Sequence, residues 1–211
     1  MRAVIYTGGE VFPDRIFESP EPGDLVIAAD SGLRAALAFG VTPDILLGDF
    51  DSLGDPSAFG LPPSVELLRV PAEKDETDTQ LAVTVALSRG ADSILIIGGF
   101  GGRPDHSLAN LALLEDLARR RVPALTVNGR VRARFLTFGS VVIPRDPRFR
   151  YLSLLPADRS ALGVSVEGCK YPLSDAVIRR RVPYAVSNEI TAPTARVSLR
   201  SGGLWILECA E

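Results

Sequence analysis

The stretch Ile45-Leu46-Leu47-Gly48-Asp49-Phe50-Asp51-Ser52 sets a short apolar run directly against two aspartates. Three consecutive aliphatic residues without polar alternation read as a strand buried on both faces, as in parallel sheets. A second segment repeats the arrangement, with Val65-Glu66-Leu67-Leu68-Arg69-Val70 and an exit at Pro71 ahead of Lys74-Asp75-Glu76-Thr77-Asp78. Ionised carboxylates repel and are costly to desolvate, so they do not gather at strand ends for packing. A divalent cation removes that conflict, and Mg²⁺ takes one or two carboxylates together with substrate phosphate oxygens. Each cluster alone also fits a bland role, an Asx-turn for the first and a dipole-favoured helix start for the second. Together on one predicted edge they point to a cation site and metal-assisted chemistry on a phosphorylated substrate.

Outward from this core, strands alternate with helices. Ala3 to Tyr6, Leu25 to Ala28, Ser93 to Ile97 and Ala124 to Val127 are further short apolar runs. Asp30-Ser31-Gly32 reads as turn and cap for a helix from Leu33 to Phe39 that Gly40 ends. Thr77 or Asp75 can cap a second helix through Leu81, Val85 and Leu87, which Gly90 stops. Leu108, Leu111, Ala112, Glu115 and Ala118 fit a third helix with an apolar stripe. This order predicts a mostly parallel sheet with flanking helices over residues 1–130. Ligands of such sheets bind outside the carboxyl ends of the strands. Asp30, Asp49, Asp51 and the loop from Gly98 to His106 therefore converge on one cleft, which Asp78 reaches from a helix start.

Beyond residue 130 the pattern changes. Arg132 to Ile143, Arg150 to Leu155, Gly163 to Val166, Ala176 to Arg180 and Ala195 to Cys209 are strand-like, with Gly and Pro punctuation and a turn at Ser201-Gly202-Gly203. An all-β second domain over 131–211 is the expectation. The 211 residues are 46% hydrophobic and 23% charged, enough for packed cores. A net charge of -3 and a pI near 5.3 argue against a nucleic-acid footprint. Cys169 and Cys209 show no metal or redox spacing. No apolar run approaches a membrane span, and Met1 to Tyr6 reads as a strand start and no signal peptide, so a cytoplasmic protein is expected.

The loop Gly98-Gly99-Phe100-Gly101-Gly102-Arg103-Pro104-Asp105-His106 permits close backbone approach to phosphate. It carries neither the Gly-Lys-Ser/Thr of a Walker A loop nor the GxGxxG spacing. Its weight lies in Arg103, whose planar guanidinium pairs with phosphate or holds a carboxylate. His106, the chain's one histidine, reads equally as a hydrogen-bonded structural residue. Of 23 basic residues only Lys74 and Lys170 are lysines, so a compact ammonium is retained inside the second acidic motif.

These residues resemble the thiamine pyrophosphokinase (thiamine diphosphokinase) family. The resemblance rests on Ala29-Asp30-Ser31-Gly32, on Pro43-Asp44 through Ser52, on Lys74-Asp75-Glu76-Thr77-Asp78 and on Gly102-Arg103-Pro104-Asp105-His106. It extends more loosely to Gly168-Cys169-Lys170-Tyr171-Pro172-Leu173 and Val186-Ser187-Asn188-Glu189. It implies an α/β nucleotide domain, a C-terminal β-sandwich that binds thiamine and pairs with a second copy, and a homodimer. The implied reaction is Mg²⁺-dependent pyrophosphoryl transfer from ATP to the thiamine hydroxyl, with release of AMP. By position, the resemblance implies Asp49, Asp51 and Asp78 as metal ligands and places them with Arg103 and Asp105 at the catalytic centre. Asp30, Ser31, Gly32, Lys74, Asp75, Thr77, Gly101, Gly102 and Arg103 stand where relatives bind ATP, and Tyr171, Ser187 and Asn188 where they bind thiamine. Many relatives have Asp-Gly-Gly-Ala-Asn where this chain has Asp30-Ser31-Gly32-Leu33-Arg34, and some have Trp where Tyr171 stands. Asp75 or Asp78 would accept the hydroxyl proton. The alternatives are transfer to another hydroxymethyl heterocycle such as a pterin, Mg²⁺-dependent nucleotide hydrolysis, or nucleotide sensing without catalysis.

Overall fold

Six short strands lead the chain: β1 (Arg2–Tyr6), β2 (Leu25–Ala29), β3 (Ile45–Gly48), β4 (Glu66–Arg69), β5 (Ser93–Ile97) and β6 (Ala124–Val127). Helices α1 (Gly32–Ala38), α2 (Asp78–Ser88) and α3 (Pro104–Arg119) alternate with them in this computed structural model. It describes residues 1–73, 75–182 and 184–211. The chain divides into two compact units, Met1–Leu113 with Val122–Gly129, and Leu114–Arg121 with Arg130–Glu211.

The first unit orders its strands β4-β3-β2-β1-β5-β6, and every neighbouring pair is parallel. Val4, Tyr6, Val26, Leu95, Ile97 and Val127 join Ala36 in one buried cluster, and Ala28, Leu46, Phe50 and Val65 join Leu33 in another. In register these residues share the α1 face of the sheet, and the alternate residues Ala3, Ile5, Ile27, Ile45, Leu47, Ile94 and Ile96, on the other face, are buried as well, which is why the central strands read as unbroken apolar runs. β4 is the edge strand, where Leu67 stays 54% exposed.

Three local expectations are corrected. The Asp30-Ser31-Gly32 turn starts α1 without a side-chain cap from Ser31. Asp30 instead takes a left-handed backbone, and its carboxylate accepts from the Ser52 hydroxyl. The stripe of α3 has the expected period in another phase: Asn110, Leu114 and Leu117 are buried, while Leu108 is 66% exposed. A buried asparagine caused the difference, because its amide is satisfied by donating to the Gly99 carbonyl at 2.8 Å. Finally, the single stretch Arg132 to Ile143 is broken at 137–138, where Gly139 has φ +88°.

The strands on either side of that break, β7 (Val131–Leu136) and β8 (Gly139–Pro144), enter different sheets. β9 (Tyr151–Pro156), β10 (Ser160–Glu167), β11 (Leu173–Arg179), β12 (Thr194–Leu199) and β13 (Leu204–Cys209) complete the second unit. β13 pairs antiparallel with β7 and β9, and an antiparallel sheet runs β11-β10-β12-β8. Ile143, Leu152, Leu154, Val164, Val166, Ile178, Val197, Leu204 and Ile206 interdigitate as a shared core. Glu208, 2% exposed, is held there by Arg132 at 3.2 Å and Arg134 at 2.8 Å. Among the described residues no helix is long and apolar enough to cross a membrane.

Candidate active site

Parallel strands put all their carboxyl ends on one edge. In the order β4-β3-β2-β1-β5-β6 the chain reverses its direction of growth between β1 and β5. The exits of adjacent strands there diverge to opposite faces, which opens a crevice. A cleft of about 500 Å³ lies at that edge, formed wholly by the first unit.

Its floor is made by two glycine turns packed back to back. Thr7-Gly8-Gly9 leaves β1 and Gly98-Gly99 leaves β5. Thr7 donates its backbone N–H to Ile97 at 2.9 Å and its hydroxyl to the Gly98 carbonyl at 2.7 Å. A methyl group on Gly9 would stand 1.9 Å from the Gly98 oxygen, and Gly98 itself adopts φ +86°. Only glycine permits this approach, which leaves the turns bare to a ligand.

The walls carry charge. Asp49 and Asp51 line the cleft at the exit of β3, where Asp51 donates its N–H to the Asp49 carboxylate at 3.0 Å. Phe50 between them has φ +67° and is buried in the core cluster, so its side chain anchors the turn. Thr77 caps α2, its hydroxyl accepting from the Gln80 N–H at 3.2 Å, and this sets Asp78 in the first turn with its side chain on the cleft. The positive end of the α2 dipole faces the same space. Arg103 lines the opposite wall and is held by a two-pronged ion pair with Asp105, at 3.1 Å and 2.5 Å. That hydrogen-bonded guanidinium lowers the Asp105 carboxyl to about 2.

The structure thus brings Asp30, Ser31, Asp49, Asp51, Thr77, Asp78, Gly101, Gly102, Arg103 and His106 to one cleft. Gly32 lies behind it, against the Tyr6 backbone. Asp75 is exposed and Asp105 stands behind Arg103, neither on the lining. Lys74, expected at the same site, lies outside the described residues. The sequence reading missed Thr7, Gly8, Gly9, Ser52, Thr79, Ser107 and Asn110, which also line the space. The paired glycines after β1 were the available signal.

Among the described residues no three Asp, Glu, His or Cys side chains are gathered closely enough to hold a metal ion by themselves. The donor set nevertheless suits a hard cation that completes its shell with phosphate oxygens and water. Asp30 is 8% exposed, and its Oδ1 is buried and accepts no hydrogen bond among the described residues. A buried anionic oxygen in that condition favours a nearby positive charge.

A second cavity of about 290 Å³ lies within the second unit, lined by Leu152, Leu154, Val166, Tyr171, Leu173, Tyr184, Ala185, Val186 and Asn188. Tyr171 and Asn188 meet there, whereas Ser187 is off the lining, its N–H bound by the Ser153 hydroxyl at 3.0 Å. Tyr184 is an aromatic wall that the sequence reading did not single out.

Both units match family models. Residues 21–126 match the thiamin pyrophosphokinase catalytic domain, and residues 140–204 match the thiamin pyrophosphokinase vitamin B1 binding domain. This chain belongs to the thiamin pyrophosphokinase family. It is 30% identical over 188 residues to the thiamine pyrophosphokinase of Bacillus subtilis, covering 89% of this chain and 88% of that one. A crystal structure of a Bacillus subtilis thiamine pyrophosphokinase superposes with a TM-score of 0.89 at 26% identity, covering all of both chains. That of Geobacillus thermodenitrificans thiamin pyrophosphokinase gives 0.84 at 27%, covering 100% of this chain and 98% of that one. Members of the thiamin pyrophosphokinase family are enzymes, and the cleft belongs to an enzyme of that family.

Proposed function

We propose that this enzyme transfers a pyrophosphoryl group from ATP to the hydroxyl of thiamine, giving thiamine diphosphate and AMP. One observation carries the reading: a cleft lined by Asp30, Asp49, Asp51, Asp78 and Arg103 over bare glycine turns, in a chain that matches the family's catalytic and vitamin B1 binding models. The acceptor oxygen attacks the β-phosphorus, the bond to the α-phosphate oxygen breaks, and AMP carries away that electron pair. Such transfers need positioning and charge neutralisation more than covalent help. The backbone of Gly8, Gly9, Gly98 and Gly99 offers close approach to phosphate, and Arg103 meets the charge that develops as AMP departs. Asp49, Asp51 and Asp78 would hold Mg²⁺, which when bound shares charge with phosphate oxygens and polarises them. Asp78, on the cleft lining, takes the hydroxyl proton, and the Lys74 ammonium would add positive charge.

In the same reading, Tyr171, Ser187 and Asn188 belong to the acceptor site. A tyrosine face over an apolar cavity suits the cationic, flat ring of thiamine. The enzyme acts as a cytoplasmic homodimer in which one subunit's acceptor surface serves its partner's cleft. Subunit exchange between Asp49→Asn and Tyr171→Ala enzymes tests this, since a cross-subunit site restores activity in the mixed dimer. The reaction is tested by incubating the protein with ATP and Mg²⁺, adding thiamine, a pterin alcohol or no acceptor, and identifying products by mass. Thiamine diphosphate and AMP in equal amounts are expected. A diphosphorylated pterin or acceptor-free ATP breakdown at the same rate would overturn the reading.

A further inference from the structure

Asn188 lines the cavity beside Tyr171, but its side-chain amide is already committed. Asn188 Oδ1 accepts the Tyr171 backbone N–H at 3.0 Å and the Glu189 N–H at 2.9 Å. Its Nδ2 donates to the Tyr171 carbonyl at 2.7 Å. One side chain therefore takes both backbone groups of Tyr171, as a neighbouring strand would. Asn188 is itself fixed, because its own backbone exchanges two hydrogen bonds with Leu152 on β9, at 2.7 Å and 3.0 Å. On the Cys169 side the same two segments are tied twice more. Lys170 donates its N–H to the Glu189 carbonyl at 2.9 Å, and Cys169 bridges to Ile190.

What this clip holds is an aromatic ring that the core does not hold. Tyr171 is 60% exposed, and it lines the apolar cavity with Tyr184 and Val186. The Lys170 ammonium stands 5.5 Å from the ring centroid and pairs with Glu189 at 3.1 Å, so a cation already occupies the ring's surroundings. An exposed ring on a loop would otherwise sample many orientations, and ordering it at the moment of binding would weaken affinity.

We infer that Asn188 is a positioning residue that presents the Tyr171 ring to the acceptor, its side chain acting through the Tyr171 backbone. This rests on the acceptor reading above and deepens it. A group acting through Tyr171 loses its effect once the ring is gone, whereas a direct contact adds to it.

The experiment is a double-mutant cycle of Asn188→Ala and Tyr171→Ala, read as KM for thiamine, KM for ATP and kcat, with the Tyr171 amide followed by hydrogen exchange. Asn188→Ala alone should raise the thiamine KM about tenfold with the other two constants within about twofold. In the Tyr171→Ala background the same change should shift the thiamine KM by less than about twofold. The Tyr171 amide should exchange faster in Asn188→Ala while amides of β12 and β13 keep their rates. A full additional loss in the double variant would overturn the inference in favour of direct contact, and an equal rise in the ATP KM would reduce Asn188 to a structural role. If the wild type makes no thiamine diphosphate, the acceptor reading fails on its own. The exchange rate still decides the clip, since an unchanged Tyr171 amide would refute it.

Discussion

Gly9→Ala is the sharpest probe of the cleft floor. An alanine Cβ there would sit 1.9 Å from the Gly98 oxygen and 2.8 Å from the Phe100 oxygen. Both are backbone atoms, so no rotamer change relieves the contact. Ordinary C···O approach is about 3.3 Å or more, and the β1 and β5 turns would have to part by more than about one ångström. A displacement of that size in a catalytic site costs on the order of 10²-fold in rate, or about 2.7 kcal/mol of transition-state stabilisation. Gly8→Ala is the matched control. Its Cβ would meet the Ser31 hydroxyl at 2.1 Å, a side-chain tip that can rotate away, with Ser31 Cβ at a comfortable 3.4 Å. The assay is thiamine-dependent AMP release, with kcat/KM for ATP measured for both variants and folding checked by circular dichroism. A drop of about 100-fold in Gly9→Ala and less than about tenfold in Gly8→Ala is expected. Equal losses, or wild-type kinetics in folded Gly9→Ala, would refute the view that close approach of these two turns builds the site.

Asp49→Asn, Asp51→Asn and Asp78→Asn should each lower kcat by about 10²–10³-fold without lowering the unfolding midpoint, because mutual repulsion is relieved. Normal turnover in all three would remove them from the centre. Arg103→Lys keeps the charge but loses the fork that engages Asp105, so it should be more impaired than His106→Ala in the same assay. The Asp105 carboxyl is depressed below its ordinary 3.8, so the stabilising pair is present above that value and lost as pH falls through about 2. A carboxyl-carbon NMR titration should therefore show a midpoint near 2, and one near 3.8 would disprove the pair. Glu208→Ala leaves Arg132 and Arg134 in a buried setting and should cost about 3–5 kcal/mol in urea unfolding, whereas Glu115→Ala on the exposed α3 pair should leave the midpoint nearly unchanged.

The apolar runs at Ile45 to Leu47 and Ser93 to Ile97 determined a parallel sheet with carboxyl-end chemistry. Burial on both faces leaves no polar alternation, and that is a property of local sequence. The acidic motifs were legible for the same reason, since charges adjacent to such runs have few structural uses. The phase of α3 was not legible, because a buried Asn110 looks polar until its Gly99 partner is in view. Strand order was beyond the sequence as well. Only the tertiary arrangement sets β1 beside β5 and makes Thr7-Gly8-Gly9 half of the cleft floor, through pairings that span some ninety residues. The same holds for Asn188 and Tyr171, 17 residues apart, whose relation is a hydrogen-bond geometry rather than a composition. Local chemistry chooses elements and their reactive ends, while long-range packing chooses which of those ends meet.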